Sequence, residues 1–154
     1  MNIKNGVFNS YSHLNKKWLD KTVVALKPLI RSGKIVAWDD TQIRPGQYWK
    51  VEIDKALEQT SIAILLVTPE FLASDFIMKD EVPYFLEKQK SGELTILWIS
   101  VSPSFAKFYP VFEEIQCVNN PKMPLDSLSK SAQNEVFVKL AKTVLELVGG
   151  NKDV

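Results

Sequence analysis

Ser61-Ile62-Ala63-Ile64-Leu65-Leu66-Val67 runs for six residues after its serine without a polar side chain. A strand with one wet face alternates polar and apolar residues. An unbroken apolar run of this length is instead covered on both faces, the condition of a central strand in a parallel sheet. Upstream, Gly6 to Phe8 reads as a short first strand, followed by the turn-prone Asn9-Ser10-Tyr11-Ser12. The next segment carries Leu19, Val23, Leu26 and Ile30 at helical spacing, and Gly33 ends it as a left-handed cap. Residues 35–38 form a second strand, and 39–46 a polar loop with an Arg44-Pro45-Gly46 turn. A helix buried through Trp49, Ile53, Ala56 and Leu57 then leads back to the central run.

Downstream, a helix is expected over 75–90 with Ser74 or Asp75 as N-cap, then a fourth apolar run over 94–101. The stretch 102–129 is expected to hold a short helix, a fifth weak strand near 116–118 and a turn at Asn119-Asn120-Pro121. The last helix, from Ser131 to about Leu147, packs through Phe137, Leu140, Ala141, Val144 and Val148. Strands alternating with helices in this order predict an α/β fold: a flavodoxin-like, open, doubly wound parallel sheet of four to five strands in the order 2-1-3-4-5. Ligands on such sheets bind beyond the carboxyl ends of the strands at the switch point, here between the first and third strands. Residues 8–15 and 68–81 meet there, and the loop 39–46 reaches over the same crevice.

Composition limits what that crevice can do. Of 154 residues, 45% are hydrophobic and 24% charged, with 19 Lys+Arg against 18 Asp+Glu and a net charge of +1. This predicts one soluble domain over 1–148 with a flexible tail over 149–154. Basic residues interleaved with acidic ones give no extended phosphate-binding surface, so a nucleic-acid partner is not expected. The one cysteine, Cys117, has no partner for an intrachain disulfide, the start MNIKNGVFNS lacks an apolar leader, and no apolar run approaches bilayer length. The expected setting is cytoplasmic, with no membrane partner. One histidine, His13, and one cysteine are too few for the usual zinc or His-based catalytic sites. Asp39 and Asp40 read as loop solvation or cap partners, and no metal site is expected.

Several chemistries of this topology lack their motifs. A phosphoacceptor domain needs acidic residues after the first strand and an aspartate after the third, where this chain has Asn9-Ser10 and Thr68-Pro69. The Gly-rich dinucleotide turn, the GxxxxGK loop and the GxSxG elbow are all absent. What remains is a crevice of hydroxyls, aromatics and a carboxylate.

Phe8-Asn9-Ser10-Tyr11-Ser12, Trp38-Asp39-Asp40, Ile43-Arg44-Pro45-Gly46 with Trp49 and Ile53, the block from Phe71 to Ile77, Glu81-Val82-Pro83 and the block from Pro124 to Leu128 stand in order along the chain. Together they resemble the Toll/interleukin-1 receptor (TIR) domain, and specifically its small bacterial members, over nearly the whole length. The resemblance implies an NAD+ nucleosidase that cleaves the nicotinamide-ribose bond and releases ADP-ribose or a cyclic ADP-ribose-type product. NAD+ is then substrate, and no prosthetic group is expected. It equally implies the alternative of a TIR–TIR interaction module without turnover. By the same resemblance, activity depends on self-association in which the loop 39–46 of one copy completes the site of the next, with a sensor protein as trigger. Antiphage defence and interference with a eukaryotic host's TIR signalling are both implied roles.

The family's catalytic glutamate often follows a tryptophan by four residues. Here Glu81 matches it with Ile77 at the tryptophan position, whereas aligning Phe76 with the tryptophan selects Asp80 instead. Glu81 is the expected catalytic residue, and the implied binding residues are Phe8, Asn9, Ser10, Ser12, Trp38, Asp39, Ile43 and Phe76. Nicotinamide departs from NAD+ as a neutral molecule, so the general acid of ordinary glycoside hydrolysis is not needed and one carboxylate suffices. Pro83 lacks the N–H that would bond the carbonyl of Lys79, so a kink beside Glu81 is expected to aim it into the crevice. Asn9 stands where the family usually has an aliphatic residue, and its burial calls for hydrogen-bond partners.

Overall fold

The computed structural model of the chain describes residues 4–149. Its sheet comprises β1 (Gly6–Ser10), β2 (Val36–Trp38), β3 (Thr60–Val67) and β4 (Thr95–Ser100), all parallel, in the order β2-β1-β3-β4. The run from Ile62 to Val67 is the central strand that its composition predicts, no residue of it more than 1% exposed. Helix α1 (Lys16–Arg31) and the final helix cover one face of the sheet, where Leu19 and Leu26 meet Val7, Ile62 and Ile64. The other face is covered by α2 (Trp49–Glu58), α3 (Pro69–Ala73), α4 (Val82–Lys90) and α5 (Pro110–Glu114), packed on Phe8, Ala63, Leu65 and Val67. Helix α6 (Lys130–Leu147) closes the first face through Phe137, Leu140 and Val144. Of the expected terminal tail, residues 150–154 lie outside the described residues.

Two glycines mark places where the backbone admits little else. A Cβ on Gly6 would stand 2.3 Å from the carbonyl oxygen of Gln59, so the start of β1 approaches β3 too closely for a side chain. Gly33 has φ +79° and follows α1 as the expected left-handed cap, its N–H donating to Ile30 at 3.1 Å.

Four expectations change. The first strand runs on through Asn9 and Ser10, the residues expected to open the turn. The fifth strand near 116–118 is a single parallel bridge from Cys117 to Trp98. The Val118 N–H donates to the Trp98 carbonyl at 2.9 Å, and the Asn119 carboxamide then takes over from backbone. Its Oδ1 accepts from Ser100 N–H at 2.9 Å and its Nδ2 donates to Ser100 O at 3.0 Å. A side-chain amide thus replaces a continuing strand. Trp49 is 54% exposed rather than buried, because it opens α2 at the edge of a cleft. Asn9 is 2% exposed, yet neither its Nδ2 nor its Oδ1 has a hydrogen-bond partner. Alternation along β1 turns its amide to the face opposite Ser10, in register with Ile64, where apolar side chains offer nothing polar.

That orphaned amide costs about 1–3 kcal/mol. Asn9→Val removes both unsatisfied atoms and suits a buried strand, so the thermal midpoint should rise by roughly 4–8 °C, about 2 kcal/mol at this chain length, measured by circular dichroism. An unchanged or lower midpoint would show that the amide is satisfied in solution.

Candidate functional site

A cleft of about 570 Å³ opens beyond the carboxyl ends of β1 and β3. Two local structures build it. On the β1 side, strand leads directly into a 3₁₀ turn, His13–Asn15, whose N-cap Ser12 accepts from the Leu14 N–H at 3.3 Å. On the β3 side, Thr68 caps α3 by accepting from Phe71 N–H at 2.9 Å and donates to Asn15 Oδ1 at 2.8 Å, while Asn15 Nδ2 donates to Glu70 at 3.3 Å. Asn15 thereby ties the two rims of the switch point together.

Glu81 reaches the cleft floor because the helix carrying it changes its winding. Ser74 caps the new start, its hydroxyl accepting from Ile77 N–H at 3.3 Å, and residues Ile77–Glu81 form a π-helical turn before α4. The Val82 N–H bonds back to Ile77, and Pro83 follows without an N–H of its own. The kink expected from Pro83 is thus a wide turn, a form concentrated at functional sites. Glu81 is 7% exposed and Asp80 lies at the surface, so the two registers left open by the sequence have opposite environments. Ser10 Oγ donates to Glu81 Oε1 at 2.6 Å, a contact between the end of β1 and a residue 71 positions later. Burial pushes the Glu81 carboxyl up to about 7 against the lowering pull of that bond, and the charges of Asp40 and Asp80 add to the rise.

Of the expected binding residues, Phe8, Asn9, Ser10, Ser12, Ile43 and Phe76 border the cleft. Trp38 and Asp39 do not. Trp38 is half-buried and stacks on Phe8, ring centroids 5.1 Å apart and planes 23° from parallel. Asp39 is occupied as a helix cap: its carboxylate accepts from the N–H and hydroxyl of Thr41, and Gln42 Oε1 accepts from Asp39 N–H at 2.7 Å. The Asp-x-x-Gln spacing of a capping box was present in the sequence as a sign of that role.

The cleft also takes side chains that the sequence did not single out for it. Asp40, freed by its neighbour's capping role, accepts from Tyr11 Oη at 2.8 Å and pairs with His13 Nε2. Burial first, then the Asp40 bond and charge, raises the Tyr11 phenol above its ordinary value and keeps it a neutral donor. Trp49 stands edge-on to Phe76 at 5.6 Å and completes an aromatic wall. Among the described residues no group of three His, Cys, Asp or Glu is placed to hold a metal ion.

The structure thus places a buried carboxylate, bonded by a serine hydroxyl and flanked by aromatics, at the switch point of this sheet. The sequence model of the TIR domain family matches residues 7–132. The chain belongs to the TIR domain family. An uncharacterized protein, y4lF, of Sinorhizobium fredii (strain NBRC 101917 / NGR234) is 30% identical over 143 residues, which are 93% of this chain and 43% of that protein. The chain therefore spans less than half the length of that relative. In three dimensions, this TIR domain is similar to the TIR domains in the structure of the activated Roq1 resistosome directly recognizing the pathogen effector XopQ. The TM-score is 0.51 at 18% identity, over 94% of this chain and 83% of that one, a likeness of fold. No described helix is long and apolar enough to cross a membrane.

Proposed function

We propose that this TIR domain is an NAD+ nucleosidase whose catalytic residue is Glu81. The observation that carries the reading is the Ser10–Glu81 hydrogen bond, which fixes a buried carboxylate on the floor of a cleft large enough for a nucleotide. In the reaction the bond from ribose C1′ to the pyridinium nitrogen breaks, its electron pair leaves with nicotinamide, and positive charge develops on the ribosyl ring. Ionised Glu81 stabilises that charge and accepts from the ribose hydroxyls. Water captures the ring carbon and loses a proton to give ADP-ribose; capture by the substrate's own adenine gives a cyclic product.

Self-association through the loop 39–46 is part of the proposal, supported by family membership and by the assembled TIR domains of the resistosome. That loop carries exposed Arg44, and Tyr48 beyond it is 82% exposed. A signalling or defence role with a sensor partner, in the cytoplasm, belongs to the same proposal, and family membership supports it.

The test is product analysis by liquid chromatography after concentrated protein, with and without a crowding agent, meets NAD+. Nicotinamide with ADP-ribose or a cyclic product is expected. A protein inert in every assembled state would instead be an interaction module. Because the ionised form of Glu81 is the active one, kcat/KM should rise about tenfold per pH unit as pH climbs toward about 7. A profile that falls through this range would assign the reaction to a protonated group.

A further inference from the structure

Among the described residues that line it, the cleft presents two carboxylates, Asp40 and Glu81, and a single basic side chain, His13. A dinucleotide brings two phosphate charges, and carboxylates oppose its entry unless a cation faces them. His13 stands at the mouth with its side chain 80% exposed. Its ring stacks on Tyr11, centroids 5.8 Å apart and planes 17° from parallel, and its Nε2 pairs with Asp40 Oδ2. Asp40 is itself held by the Tyr11 hydroxyl. The imidazole is therefore fixed on its face and at one nitrogen. Its other nitrogen, Nδ1, has no hydrogen-bond partner among the described residues and is open to solvent.

We propose that His13 in its protonated form binds the diphosphate of the dinucleotide, donating from Nδ1 to a phosphate oxygen while Asp40 and the Tyr11 ring hold the imidazole over the cleft. This rests on the nucleosidase reading of the same cleft and assigns a contact for the part of the substrate that Glu81 does not touch. The division of labour is chemical. Glu81 answers the positive charge of the reacting ribose, and a charge-assisted hydrogen bond from His13 answers the negative charge of the diphosphate. Asp40 is then a positioning residue, its carboxylate holding Nε2 and leaving Nδ1 to face the ligand.

Two measurements on wild type and His13→Ala test it, both on concentrated, assembled protein. Calorimetric titration with ADP, which has the diphosphate but no nicotinamide ribose, should show affinity about tenfold weaker in the variant. Steady-state kinetics with NAD+ should show KM raised by a similar factor and by more than kcat falls. Equal ADP affinity in the two proteins, or no ADP binding by wild type, overturns the assignment. So does a variant that loses kcat with KM unmoved, because His13 would then act on the reacting ribose. If wild type leaves NAD+ intact while ADP binding still depends on His13, the nucleosidase reading fails and the diphosphate site stands. If wild type cleaves NAD+ and the variant binds ADP equally well, the diphosphate site alone fails.

Discussion

Glu81→Gln protein should release nicotinamide from NAD+ about a hundredfold more slowly than wild type at pH 8, or slower still, with its state of assembly unchanged. Glutamine keeps the length and shape of the side chain, and its amide oxygen accepts the Ser10 hydroxyl as the carboxylate does. What it removes is the negative charge. If Glu81 acts by stabilising the cationic ribosyl ring, the whole loss belongs to the rate and appears with folding intact. If instead the carboxylate only anchors Ser10, glutamine should serve as well and the rate should hold. Chromatographic release of nicotinamide, with sedimentation to confirm equal assembly, separates the two outcomes.

The same substitution should make the protein more stable at pH 8, by about 3 kcal/mol, with the advantage vanishing near pH 4.5. Glu81 titrates at about 7 in the folded chain against 4.5 when unperturbed. Below 4.5 both states hold the proton and the group contributes nothing. Between 4.5 and 7 the unfolded chain has released a proton that the folded chain keeps, so stability falls as pH rises through this window. Above 7 both states are ionised, and the full cost of a buried charge remains. Glutamine carries no charge to bury. Thermal midpoints for wild type and variant should therefore converge at low pH and differ by roughly 6–12 °C at pH 8. A variant less stable than wild type at pH 8 would mean that the ionised carboxylate is held by more than Ser10. A site that destabilises its own fold is the usual signature of a group kept for chemistry.

The sheet was legible in the sequence because its signal is compositional. An apolar run as continuous as that from Ile62 to Val67 admits few positions, and the helices around it carried clear stripes, such as Leu19 with Leu26 and Leu140 with Val144. The region after β4 was not legible, because the chain there satisfies the sheet edge with one bridge and a side-chain amide. Neither leaves a periodic pattern. At the site, the carboxylate and the serine could be named, but their contact spans 71 positions and follows from a turn whose winding depends on Pro83 and on packing together. Trp38 and Asp39 show the limit of motif reading. The same short block supplies a core aromatic, a helix cap and, one position on, the acid that faces the cleft. Asp40 and His13 came together only through the fold, since neither stands in a pattern that calls for the other.

The Asn119 carboxamide on Ser100 has one more effect. By engaging the N–H and the carbonyl of that residue from outside, next to the Val118 N–H on the Trp98 carbonyl, it leaves a foreign strand no template at the carboxyl end of β4's outer margin. A strand added at that margin would first have to break those bonds, so a filament extended from it should have the rise of stacked whole domains rather than the roughly 4.7–4.8 Å repeat of strands added one by one.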